Sequence, residues 1–169
     1  MNTLPDNPAG WWISEKYDGV RAIWTGAAFL SRNGHKFTPP GWWLEGMPDC
    51  RLDGELWMGR GRFDFLVSQI QTKGSEWDGI TFQIFDLAAL RLPFEQRIAT
   101  LARLALPSHC RLVPHRVCKG HSDLDATEAD VVAAGGEGLV LRRPGSFYRP
   151  NDFLKVKRLF PDLNRSQLD

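Results

Sequence analysis

The sequence predicts an α+β domain built on largely antiparallel sheets, and three observations lead there. Short apolar runs with period-two alternation recur along the 169 residues, bounded by glycine and proline turns. Tight-turn dipeptides such as Asp18-Gly19, Thr25-Gly26 and Asn33-Gly34 follow closely on these runs, so strands return on one another. Helical spacing appears at irregular intervals, near residues 63–73, 94–105 and 122–134, and does not alternate strictly with the strands as a βαβ chain would.

Residues 11–17 and 20–25 read as strands, with Asp18-Gly19 forcing a turn between or beside them. A third short strand at residues 29–31 returns through Thr25-Gly26. Asn33-Gly34 marks a turn and Pro39-Pro40-Gly41 an irregular loop. Residues 51–57 form another strand, interrupted by Gly54, where a strand glycine signals a close approach to the backbone. Phe63, Leu66, Val67 and Ile70 have the spacing of one helical face. Ile80, Phe82 and Ile84 alternate against Thr81, Gln83 and Phe85 as a strand with one core face. Pro93 opens a helix whose stripe is Phe94, Ile98, Leu101 and Ala105. Residues 110–117 are expected as one strand. Ser122 is expected to cap a helix that runs to Ala134 and stops at Gly135-Gly136. Residues 138–142 and 153–158 are the last strands.

The chain has the size of one domain and enough residues to bury a core. With 43% hydrophobic and 24% charged residues it belongs with soluble globular proteins, and no stretch has a disordered composition. The net charge of +1 hides a polarised distribution. Arg142, Arg143, Arg149, Lys155, Lys157 and Arg158 face a single Asp152, while Asp123, Asp125, Glu128 and Asp130 form the acidic counterweight. A basic C-terminal region of this kind suits phosphates. No run is long and apolar enough for a membrane span, residues 1–10 lack a secretory pattern, and the three cysteines show no pairing pattern. A cytoplasmic protein is expected.

The sharpest local feature is Glu15-Lys16-Tyr17-Asp18-Gly19-Val20-Arg21. On a strand Lys16 and Asp18 share a face, and the glycine turn lets Arg21 return towards them. Taken alone, Lys16 reads as a strand-edge lysine snorkelling to water. It becomes a nucleophile only where desolvation or nearby cations lower its proton affinity. Asp53-Gly54-Glu55 sets two carboxylates around a glycine. Glu137 stands between Gly136 and Gly138, as a metal or sugar ligand or as part of a simple helix stop. Lys155 and Lys157 alternate onto one strand face, which is unfavourable unless an anion lies between them; an exposed edge is the alternative.

In order, these segments resemble the motif series of the covalent nucleotidyltransferases: ATP-dependent DNA ligases, RNA ligases and mRNA capping enzymes. Lys16-Tyr17-Asp18-Gly19 matches the K-x-D-G motif and Ser31-Arg32-Asn33-Gly34 the S-R-x-G motif. Asp53-Gly54-Glu55-Leu56, Phe85-Asp86-Leu87, Glu137-Gly138-Leu139-Val140 and Leu154-Lys155-Val156-Lys157 match those that follow. The run from Leu52 through Gly59-Arg60-Gly61-Arg62-Phe63 looks most like the minimal bacterial ATP-dependent DNA ligases.

The resemblance implies an adenylation domain of two largely antiparallel sheets flanked by helices, ATP-grasp-like in fold. It implies that Lys16 attacks the α-phosphorus of ATP and holds AMP as a phosphoramidate, with Mg2+ or another divalent metal. Lys155 and Lys157 would bind phosphate and tune Lys16, Glu137 would meet the metal and Glu55 the ribose. Phe85 would stack on adenine, and the backbone near Glu15 would read its amino group. Arg21 and Arg32 would contact phosphate or ribose, and later the 5′-phosphate of nicked duplex DNA. The remaining DNA contacts are expected from Arg60, Arg62, Arg142, Arg143 and Arg158, in a monomer serving DNA replication, recombination or repair. These ligases continue into an OB-fold domain; residues 159–169 are too few for that barrel, so a single adenylation domain is expected, working with a separate OB-fold or DNA-repair partner.

Two other readings differ in class. An RNA ligase or capping-type enzyme would change the acceptor or the nucleotide, and a non-catalytic relic would only bind nucleotide or DNA. Together, Lys16, Glu55, Glu137, Lys155 and Lys157 argue against a relic. His109, Cys110, His115, Cys118 and His121 have partly ligand-like spacing but fall on differing faces of a strand and loop, so packing is favoured over zinc. The seven tryptophans are expected mainly in core and loop packing. Gly59-x-Gly61 is too short and wrongly placed for a dinucleotide fold.

Overall fold

The computed structural model describes residues 3–88 and 91–159. In chain order, β1 spans Trp12–Glu15, β2 Val20–Trp24 and β3 Phe29–Ser31. A one-turn helix, α1 at Gly41–Leu44, leads to β4 at Leu52–Trp57. Then come α2, Phe63–Gln71, β5, Thr81–Leu87, and α3, Phe94–Leu101. Strands β6, Cys110–Leu112, and β7, Arg116–Val117, precede α4 at His121–Ala133. The chain continues through β8, Leu139–Arg142, to β9, Leu154–Val156. Of the C-terminal tail, residues 160–169 lie outside the described residues.

The expected α+β architecture is present, as a four-stranded sheet ordered β7-β1-β8-β9 and a five-stranded sheet ordered β3-β2-β4-β5-β6. Every pairing is antiparallel except β5 with β6. No helix among the described residues is long and apolar enough to cross a membrane.

Strands β1 and β2 are neighbours in sequence but belong to different sheets. Asp18-Gly19 is therefore a passage between sheets and not a hairpin turn. Gly19 lies so close to β4 that a Cβ there would stand 2.1 Å from the Leu56 carbonyl oxygen. This passage leaves Lys16 at the end of one sheet and Arg21 on the other.

The single strand expected at residues 110–117 is divided in the same way. Its first part pairs with β5 and its second with β1, so Val113-Pro114-His115 carries the chain across. Pro114 has no N–H to give a ladder, which favours a break there.

Three helical details also differ from expectation. Helix α3 ends at Leu101, leaving Ala105 exposed, and Arg97 takes a buried place that the stripe assigned to Ile98. Helix α4 is preceded by Gly120 with φ 140°, and Ser122 lies inside the first turn without capping it. Asp123 instead accepts the Lys119 N–H at 2.8 Å. The loop expected after Pro40 contains α1, which drops Trp43 into the core.

Period-two alternation gives each sheet one core face and one cavity face. The larger core lies on one face of the five-stranded sheet. There Phe29 packs within about 5 Å of the rings of Trp24, Trp43 and Phe82, and Trp77 backs Trp43. Ile13, Leu139, Leu141 and Val156 of the four-stranded sheet form a smaller core with Leu124 of α4. The alternate residues, Ser14, Val140 and Lys155 on one sheet and Arg21, Glu55 and Phe85 on the other, face a shared cavity.

Candidate active site

A cavity of about 430 Å³ opens between the sheets. Lys16 reaches it from just beyond β1, where its backbone N–H donates to the Gly138 carbonyl at 2.9 Å. Gly138 itself permits no side chain, because a Cβ would meet the Val156 carbonyl oxygen at 2.2 Å. This close packing of β1, β8 and β9 brings three separated motifs together: Lys16 Nζ donates to Glu137 Oε2 at 2.8 Å, and Lys157 Nζ approaches Glu137 Oε1 at 2.6 Å. Burial opposes ionisation of Glu137, but hydrogen bonds from Lys157 and Lys16 outweigh it and hold the carboxyl below its ordinary range. Lys155 is pulled below the usual lysine range, first by burial and then by repulsion from Lys16 and Arg32.

The facing wall comes from β2, β4 and β5. Arg21 forms a two-point pair with Asp53, at 2.8 and 2.6 Å, and lies over the rings of Phe85 and Phe153 at 5.2 and 5.4 Å. Tyr148 donates to the same Asp53 carboxylate at 2.6 Å. Beside this pair, Glu55 is half-buried as a residue, but its Oε2 is sealed from solvent without a hydrogen-bond partner. Burial pushes Glu55 up to about 8, against the pull of Lys16 and Arg21 and with reinforcement from Asp53 and Glu137.

This donor set fits a hard divalent cation. Glu55 and Glu137 feel each other's charge, and the buried Glu55 oxygen lacks a partner. Magnesium is commonly held by one or two carboxylates plus substrate phosphates. Among the described residues, no group of three or more His, Cys, Asp or Glu side chains gathers to hold a metal by itself.

Of the residues singled out in the sequence, Glu15, Lys16, Arg21, Arg32, Glu55, Phe85 and Lys155 line the cavity, Glu137 joins it through Lys16, and Lys157 through Glu137. Arg142 requires a correction. It lines the cavity's inner end but is only 3% exposed and donates to buried Asp86 at 2.8 Å, so it is not a surface contact for a DNA backbone. Arg97 completes that buried group from the other side of Asp86, at 2.7 Å. Arg60 is held by the Glu15 carboxylate through two bonds of 2.9 Å. Arg158 pairs with Asp125 at 2.8 Å and with Glu128 at 3.3 Å. Arg143 is exposed and lies over Trp11, and Arg62 lies over the exposed ring of Phe65.

Phe153, Tyr148 and Phe63 belong to the site without standing out in the sequence as functional residues. Phe153 was within reach, because it shares the alternation of Lys155 and Lys157. Phe63 has the spacing of one helical face in the sequence, yet it lines the cavity. Tyr148 has no local signal, since its partner Asp53 is 95 residues away.

The chain is similar to known proteins along most of its length. The sequence matches the family described as ATP dependent DNA ligase domain over residues 2–157. It is 30% identical over 165 residues to a DNA ligase of Haemophilus influenzae, covering 93% of this chain and 62% of that protein. Among solved structures it superposes on a Lig E DNA ligase with TM-score 0.84 and 31% identity, covering 90% of this chain and 63% of that one. The Chlorella virus DNA ligase-adenylate shares the fold at TM-score 0.73 and 18% identity, over 88% of this chain and 61% of that one. The chain thus spans a little under two thirds of each of these proteins. With a family match over nearly its full length and the matching motifs gathered around one cavity, the chain belongs to the ATP-dependent DNA ligase domain family.

Proposed function

We propose that this chain is the adenylation unit of an ATP-dependent DNA ligase, forming a lysyl-AMP on Lys16 and passing the AMP to the 5′-phosphate of nicked duplex DNA. The observation that supports this most is the position of Lys16: its amine stands at a nucleotide-sized cavity, bonded to Glu137 and facing Glu55 and Phe85.

Phe85, opposed by Val140 from the other sheet, offers a stacking surface for a purine. Glu55 suits the ribose hydroxyls because its side chain lines the cavity beside Arg21 and Lys16. Lys155 and Arg32 supply positive charge to the phosphates. In the first step the Lys16 amine forms a bond to the α-phosphorus, the bond to pyrophosphate breaks, and Nζ loses a proton. A divalent cation, held by Glu137 with Glu55 nearby and by phosphate oxygens, would offset the triphosphate charge. In the second step a DNA 5′-phosphate oxygen takes the AMP and Lys16 regains its proton.

Duplex DNA is then expected at the cavity mouth, with Arg32, Arg62 and Arg143 as exposed cations. An OB-fold or DNA-repair partner would enclose the duplex from the other side. The test is incubation with α-labelled ATP or GTP and magnesium, followed by denaturation. A covalent label from ATP that is lost in acid and kept in alkali is expected; label from GTP alone, or none, overturns the reading.

A further inference from the structure

The cavity lining includes Phe85, buried Val113 and half-buried His115. Val113 donates its N–H to the Ile84 carbonyl at 2.8 Å, so the segment after β6 continues alongside β5. Period-two alternation then sets Val113 and His115 on the cavity side with Phe85. The same His115 ring borders a second, apolar cavity of about 310 Å³ beneath α3 and meets the Phe94 ring edge-on at 5.2 Å.

The tautomer of this histidine follows from its contact. Nδ1 lies 2.8 Å from the Val113 carbonyl oxygen, which can only accept, so Nδ1 bears the proton. Burial, reinforced by the charge of Arg142 and opposed by that carbonyl, lowers its pKa to about 4. A neutral imidazole with a proton on Nδ1 presents Nε2 as a bare acceptor.

We propose that His115 is a specificity-determining residue that reads the purine, its Nε2 accepting a hydrogen bond from the exocyclic amine of adenine in the cavity. The inference rests on the reading of this cavity as the ATP site. The amine has two hydrogens, so His115 adds to a backbone acceptor near Glu15 and does not replace it. Guanine carries a carbonyl oxygen at the same ring position and would set lone pair against lone pair. A polar site left unpaired in this way discriminates more strongly than a mere change in shape.

The experiment compares binding of ATP, purine riboside 5′-triphosphate (which lacks the 6-amino group) and GTP, by calorimetry, to the wild-type chain and to His115→Ala, His115→Phe and His115→Gln. Wild type is expected to favour ATP over the purine riboside analogue by about tenfold. That factor falls several-fold in His115→Ala, which keeps only the backbone acceptor's share, and is largely kept in His115→Gln, whose amide oxygen can accept. His115→Phe keeps the packing on Phe94 without an acceptor, so it gives the same answer if the alanine variant does not fold. Discrimination against GTP falls alongside in the variants without an acceptor. An equal preference for the 6-amino group in wild type and in His115→Phe overturns the proposal while leaving the ATP site in place. Failure of wild type to bind ATP overturns the site and the proposal together. ATP binding without covalent label strikes only the catalytic reading, and the binding comparison still decides the role of His115.

Discussion

Two groups of charged side chains meet the same cavity, and they are built to opposite ends. At the rim, Glu137 is shared by Lys16 and Lys157, whose side chains are 19% and 32% exposed. At the inner end, Asp86 is shared by Arg97 and Arg142, all at 4% exposure or less. The lysines keep contact with water although Glu137 is 9% exposed, and because Glu137 has two cations, one can turn to an arriving anion without leaving the carboxylate alone. A buried group cannot release a member without stranding the others in a medium of low dielectric. The rim group is therefore suited to chemistry and the inner group to holding shape. Asp86 ties β5, α3 and β8 together through its two arginines and also accepts the Leu87 N–H at 2.8 Å.

The comparison can be broken by experiment, and the largest effect belongs to the rim. Lys16→Ala is expected to abolish covalent labelling while changing stability by less than about 1 kcal/mol. Label that survives the substitution would move the nucleophile elsewhere. Asp86→Ala reverses the pattern: it strands two buried guanidiniums and should destabilise by about 3–5 kcal/mol in urea unfolding. A loss under about 1 kcal/mol would show that the inner group is as dispensable as a surface pair.

Glu55 sharpens the contrast because it is buried yet belongs to the reactive side. Its pKa is raised to about 8, first by burial, above the ordinary 4.5 that it regains on unfolding. The folded state thus favours the protonated form. The resulting stabilisation is complete below the unfolded value and is lost as pH rises through about 8. Glu55→Gln does not titrate, so in the nucleotide-free protein it should exceed wild type in stability at pH 9 by on the order of 1–3 kcal/mol more than at pH 5. The same variant should bind ATP more weakly. Parallel stability-pH curves would remove the charge from this account.

The smallest effect concerns the outer arginines. Arg158→Ala should change the slope of log K for nicked duplex against log salt by clearly less than Arg62→Ala, for which about 1 is expected. The reason is that Arg158 already meets Asp125 and Glu128. Equal changes would show that DNA draws Arg158 out of its local pairs.

Much of the site was legible because its determinants are local. Lys16 and Asp18-Gly19, Glu55 beside Gly54, and Glu137 between glycines are each read within a few residues. Gly19, Gly54 and Gly138 are places where another strand's carbonyl comes too near for a Cβ, and at Gly136 a Cβ would meet Val131 of α4. Alternation along β1, β4, β5 and β9 was likewise visible, and it decides which side chains face the cavity.

What the sequence determined by itself was the α+β class, the position of most strands, and the candidate chemistry of Lys16 with its carboxylates and lysines. Tertiary structure alone decided which strands share a sheet. It separated β1 from β2 across Asp18-Gly19, and split residues 110–117 between the two sheets. It also decided the fate of each charge. Arg142 looked like part of a basic surface and is buried on Asp86, while Arg158 and Arg60 meet acids 30 or more residues away in sequence. The physical reason is range: turns, alternation and glycine clearance act over a few neighbouring residues, whereas pairing and desolvation of charge depend on whichever groups the finished fold brings within a few ångströms.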